Sequence, residues 1–150
     1  MENMRTLREI HLNNDWDYLF TANWRGSYAD AFNDPTWIPL PDLTDWGVGA
    51  APQAGADWFR HCISVDANAA ANTRYILHIE RVPEKVSVFV NGRAIGEIAP
   101  KTAFAQDITH ALTPGDNTLA LKVTCASRQG GGVFGDIALQ VVVPSPPALT

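Results

Sequence analysis

From Asp57 onward, apolar and polar residues alternate along the chain. A period of two means extended strands with one buried face. Asp57 to Val65 sets Phe59, Ile63 and Val65 on one side, and Arg74 to Glu80 does the same with Tyr75, Leu77 and Ile79. Val86 to Val90 ends at Asn91-Gly92, and Arg93 to Ile98 returns. An Asn-Gly pair between two apolar runs predicts a tight hairpin, because both positions tolerate positive φ. Thr102 to Ile108 reads as a further strand and Thr109 to Leu112 as one short turn. After a turn at Pro114-Gly115-Asp116-Asn117 come Leu119, Leu121 and Val123 on one face. Gly130-Gly131-Gly132 then breaks the chain before Ile137, Leu139, Val141 and Val143.

The first 55 residues are less regular. Trp16 to Phe20 and Thr36 to Leu40 read as strands, while Thr21 to Pro35 and Pro41 to Ala56 read as long loops rich in Asp, Gly, Pro and Trp. No helical period persists beyond a turn or two. Eight or nine strands punctuated by Gly and Pro predict an all-β fold, a two-sheet antiparallel sandwich. Its 150 residues suit a single domain. The expected limits are residues 1–143 for the sandwich and 144–150 for a tail, since Pro144-Ser145-Pro146-Pro147 lacks the donors a sheet needs.

Charge and composition exclude several functions. The net charge is −5, with 11 Lys and Arg and no basic run, which argues against nucleic acid and against a basic membrane-surface helix. No apolar run reaches the roughly 20 residues of a membrane span. The stretch Met1 to Arg8 has no apolar segment of the secretory kind, so a cytoplasmic location is expected. Cys62 shares a phase with Arg60 and Ser64, and Cys125 with Leu119, Leu121 and Val123. Facing different sides of their strands, they are expected to be separate thiols. His11, His61, His78 and His110 show no metal-binding spacing, and His61, in phase with Phe59 and Ile63, is expected at the edge of the core. Asp34, Asp42 and Asp45 could attract calcium, but without a ligand-loop spacing they read as a solvated acidic loop. No cofactor is expected.

The order of these features resembles the sugar-binding domain at the N-terminus of family 2 glycoside hydrolases, which include β-galactosidases, β-glucuronidases and β-mannosidases. The matching pieces are Trp16 and Phe20; Trp37-Ile38-Pro39-Leu40-Pro41; Gly55 with Trp58-Phe59-Arg60 and Ile63; and Val88-Phe89-Val90-Asn91-Gly92 with Gly96. Phe104, Asp107-Ile108-Thr109 and Gly115-Asp116-Asn117 follow, then Gly132-Val133-Phe134, Asp136 and Leu139. The resemblance implies a galactose-binding-like jelly roll. Each piece also has a structural role: Asn91-Gly92 closes a hairpin, Asp107 accepts backbone N–H groups, and Trp16, Trp37 and Trp58 anchor a core. The motifs therefore speak for a fold before they speak for a chemistry.

In that family the two catalytic glutamates lie in a later barrel domain, which these 150 residues do not contain. Most of the aspartates here fall at turns or loop starts, Glu80 and Glu97 stand at strand ends, and nothing resembles a nucleophile elbow. The loop Ala126 to Gly131 carries Arg128 and no acid, unlike the long acidic loop that reaches the sugar in some of those β-galactosidases. The chain is expected to be non-catalytic on its own.

Sugar recognition needs a flat aromatic beside charged or amide groups. The candidates are Trp24, Arg25 and Tyr28 in the first long loop, Trp46 in the second, and Arg128 late in the chain. The competing reading of Trp24 to Tyr28 is a loop aromatic tucked under the sandwich. Expected partners are a carbohydrate, a β-galactoside-like sugar among the options, or else a glycosidase catalytic domain or a second copy of the chain. Exposure separates the two: sugar binding needs a solvent-facing aromatic beside polar groups, and assembly needs an apolar patch.

Overall fold

The computed structural model describes residues 4–21, 27–42, 55–66, 68–69, 71–82, 84–125 and 134–144. Ten strands make two antiparallel sheets packed face to face. They are β1 (Met4–His11), β2 (Asn14–Thr21), β3 (Ile38–Asp42), β4 (Gly55–Val65), β5 (Arg74–Ile79), β6 (Val86–Val90), β7 (Arg93–Ile98), β8 (Phe104–Asp107), β9 (Gly115–Cys125) and β10 (Ile137–Pro144). One sheet has the order β1-β10-β5-β8, the other β3-β2-β4-β9-β6-β7. A five-residue helix α1 (Tyr28–Phe32) lies in the first long loop, and a 3-10 turn spans Thr109–Ala111.

The alternation read from the sequence becomes the core. Phe59, Ile63, Leu77, Ile79, Val86, Val88, Leu119, Leu121, Ile137 and Leu139 turn inward and meet between the sheets. The spine is the β4–β9 pair, in unbroken register from Gly55↔Cys125 to Val65↔Gly115. The Asn91-Gly92 hairpin closes β6 on β7 with φ of 51° and 81°, as the turn requires.

Two details depart from the sequence expectation. The described residues hold ten strands, because β1 is one that periodicity does not reveal. Seven of its eight residues are exposed, so no buried face marks it, and pairing along β10 alone makes it a strand. The sheet also runs one residue into the proline-rich stretch, where Pro144 pairs with Met4 at the end of β10. Pro39 and Pro41 are tolerated because β3 is an edge strand, paired only with β2.

A second apolar cluster lies outside the sandwich. Leu19, Ala56 and Trp58 face outward from the six-stranded sheet and are covered by Ala31 of α1, with Tyr28, Trp37 and Phe89 packed around them. Trp16 anchors the main core as expected, whereas Trp58 anchors this outer one. α1 and Trp37 therefore form a lid on one sheet, and that lid builds the site.

Candidate functional site

β4 alternates across the six-stranded sheet, so Arg60 emerges on the outer face beside Trp58 while Phe59 fills the core. The Arg60 guanidinium lies over the Trp37 ring, 4.1 Å from its centroid, and 5.6 Å from that of Phe32. Its Nε donates to Asp17 Oδ2 at 3.3 Å. Trp37 is itself fixed, because its indole N–H donates to the Ala31 carbonyl of α1 at 2.8 Å. The Arg60 Nη1 donates to the Phe32 carbonyl at 3.5 Å, so the cation is held by rings, a carboxylate and a backbone carbonyl. Asp15, Asp17, Phe32, Arg60, Cys62 and Thr118 line an open pocket of about 340 Å³ there. That volume falls within the range of small-molecule sites, at its lower end.

Phe32 is 46% exposed and supplies the solvent-facing aromatic. Tyr28 stacks on it at 5.7 Å and on Phe89 at 5.5 Å, and meets Trp58 edge-on at 6.2 Å. Burial pushes the Tyr28 phenol above its ordinary value, with the Arg60 charge opposing. Tyr28, half-buried at the start of α1, thus supports the pocket wall. Of the residues singled out in the sequence, Trp24, Arg25, Trp46 and Arg128 lie outside the described residues, so Tyr28 is the one whose place is known.

Phe32, Arg60, Asp15 and Asp17 escaped the sequence reading, though a signal for Arg60 was available. Trp58-Phe59-Arg60 in a strand must put Trp58 and Arg60 on one face, opposite Phe59. Asp15 sits at φ 64°, a left-handed conformation that Asp tolerates better than most residues, at the start of β2.

A larger concave surface lies across the outer face of the four-stranded sheet. It is an open groove of about 630 Å³ whose walls include Glu9, His11, His78, Glu80, Asp136 and Gln140. Gln140 donates its amide to Thr6 Oγ1 at 2.5 Å and faces His78 Nε2 with its oxygen at 2.7 Å. His78 Nε2 therefore carries the hydrogen, and Nδ1 is the acceptor of the neutral ring.

The remaining histidine and cysteine expectations resolve simply. His61 stands edge-on to Trp16 at 5.0 Å and donates Nδ1–H to the Cys62 carbonyl at 2.6 Å, at the rim of the core. Cys62 is an exposed free thiol. Cys125 pairs with Gly55, seven residues along β4 from Cys62 or roughly 23 Å at strand rise, so no disulfide can join them. Its side chain lies outside the described residues. Among the described residues, no group of His, Cys, Asp and Glu could hold a metal ion, and no helix is long and apolar enough to cross a membrane.

No protein-family model matches the chain, and no curated protein matches it. Solved structures do. The chain is similar to a beta-glycosidase from Bacteroides vulgatus with TM-score 0.71 and 23% identity, over 89% of this chain and 20% of that one. It is similar to a glycosyl hydrolase family 2 member from Bacteroides cellulosilyticus with TM-score 0.70 and 21% identity, over 90% of this chain and 21% of that one. A beta-glucuronidase from an uncultured Clostridium sp. gives TM-score 0.73 and 15% identity, over 97% of this chain and 30% of that one. These likenesses establish the fold: a β-sandwich of the kind built into larger family 2 glycoside hydrolases. The chain spans between 20% and 30% of the length of those three.

Proposed function

We propose that this chain is a non-catalytic carbohydrate-binding domain, resembling the N-terminal sugar-binding domain of family 2 glycoside hydrolases. The observation that carries the reading is Arg60, whose guanidinium lies over the Trp37 ring at the wall of an open pocket beside the exposed Phe32 ring. A pyranose presents an apolar C–H face and a rim of hydroxyls. Phe32 offers a surface for the former, and Arg60, Asp15 and Asp17 offer donors and acceptors for the latter. The pocket supplies the aromatic and polar pair demanded of a sugar site, although on residues other than those singled out in the sequence. A supporting role for Trp24, Arg25, Trp46 and Arg128 is part of the same proposal.

Tryptophan fluorescence tests it, because Trp37 lies under the guanidinium. Galactosides, glucuronides, mannosides and oligosaccharides are titrated into the wild type and into Arg60→Ala, Phe32→Ala, Trp24→Ala and Trp46→Ala. A saturable change lost in Arg60→Ala and Phe32→Ala is expected. No response to any sugar at millimolar concentration overturns the reading.

A second reading, an assembly domain that docks a glycosidase domain or a second copy, is favoured by one observation. Leu7 and Ile38 are 56% and 50% exposed, and both lie on edge strands, β1 and β3. Sedimentation velocity decides whether copies associate. A monomer at all concentrations, unchanged in Leu7→Lys and Ile38→Lys, removes self-association.

A further inference from the structure

We propose that the groove across the four-stranded sheet is a second ligand site, which takes an extended oligosaccharide free of acidic groups. It lies on the sheet opposite the one that bears the Arg60 pocket and does not rest on the reading of that pocket.

The register builds the groove. His11 pairs with Ala138, Ala138 with His78, and His78 with Ala105, so these four stand in one row across the sheet. Large and small side chains alternate along that row. Two imidazoles stand as walls two strand spacings apart, roughly 9–10 Å, with a methyl floor between them. In the next row Glu9 pairs with Gln140 on the same face. Four strands give a surface roughly 14 Å across, which suits several sugar rings better than one. At 630 Å³ the groove is also nearly twice the size of the Arg60 pocket, at 340 Å³.

The polar groups suit hydroxyls. The Gln140–Thr6 and His78–Gln140 hydrogen bonds fix the carboxamide and imidazole in orientation, and leave His78 Nδ1 as an acceptor for a sugar O–H. Carboxylates accept two hydroxyls of a vicinal diol at once. Among the described residues that line the groove there is no Lys or Arg. Arg74, further along the same face, pairs with Asp107 at 2.8 Å. A uronate or sulfated chain would therefore meet Glu9, Glu80 and Asp136 without a counter-charge, whereas a neutral or amine-bearing chain would not.

The test follows the imidazole resonances of His11 and His78 by NMR, assigned through His11→Ala and His78→Ala. The probes are β-1,4-linked trimers of glucose, mannose, galactose and glucosamine, and a trimer of galacturonic acid. At least one neutral or amine-bearing trimer should shift both rings saturably. Its affinity should fall by about tenfold in Gln140→Ala and in His78→Ala and hold in Arg60→Ala. Should the half-buried His78→Ala not fold, His11→Ala at an exposed position carries the same expectation. The proposal is overturned if no neutral or amine-bearing trimer shifts either ring, if galacturonate binds as tightly, or if Arg60→Ala abolishes the shifts.

Discussion

Asn91 donates its side-chain amide to Asn117 Oδ1 at 2.8 Å, joining the β6–β7 turn to the start of β9. Each asparagine does more than that. Asn91 Oδ1 accepts the Thr118 N–H, and its Nδ2 also reaches the Ala111 carbonyl. Buried Asn117 accepts from the Thr113 N–H and donates to the carbonyls of Ile63, Thr113 and Gly115. Removing such a hub unpairs the buried Ile63 carbonyl, at about 1–3 kcal/mol, and several partly buried bonds to Asn91, Thr113 and Gly115 besides. Asn117→Ala is expected to lower unfolding free energy by about 3 kcal/mol, read as a lower urea midpoint at unchanged slope.

Gly92 links that turn to the outer cluster. Its φ is +81°, and a Cβ there would stand 3.2 Å from Tyr28 Cε1. Gly92→Ala thus combines left-handed strain of about 1–2 kcal/mol with a push on the ring that covers Phe89 and Trp58. The expected outcome is a lower melting temperature together with a change in tryptophan emission. Emission unchanged would mean that Tyr28 does not rest on the turn.

How far the sequence reaches is clearest in β4. Its alternation gives Phe59 and Ile63 to the core, and the same alternation places Arg60 outside. What it cannot give is the cover on the outer face. α1 has five residues, too few for a 3.6-residue pattern, and it is held by packing on Trp58 and Phe89. The pocket therefore forms between segments distant in sequence, Asp17, Phe32 and Arg60, which no local motif links. β1 was hidden for a related reason: its partner is more than 120 residues away, and its exposed residues carry no periodicity. Asn91-Gly92 was legible because turn chemistry is local.

Arg60→Lys separates shape from charge. Lysine keeps the positive charge near Asp17 but loses the planar fork and its contact with Trp37. The Arg60–Asp17 pair is partly exposed, with side chains 27% and 46% accessible, so stability should change by less than about 1 kcal/mol. Affinity for any sugar that titrates the pocket should fall by about tenfold. Wild-type affinity in the lysine variant would assign Arg60 a charge role only.

Asp107 sets a pH dependence whose sign is fixed by its partners. Burial, the largest single influence, raises its carboxyl. The Thr109 hydroxyl and N–H, with Arg74 beside them, together outweigh burial and hold it below the ordinary 3.8. A depressed folded value means stability that is present above the unfolded value and lost as pH falls through the folded one. Asp107→Asn removes that titration. Wild type should be the more stable at pH 7, and the gap should close on acidification below about pH 4. Chemical denaturation of both proteins at intervals from pH 7 to pH 2.5 reads the effect. A gap that stays constant with pH would show that Asp107 acts through the shape of the β8 turn and not through its charge.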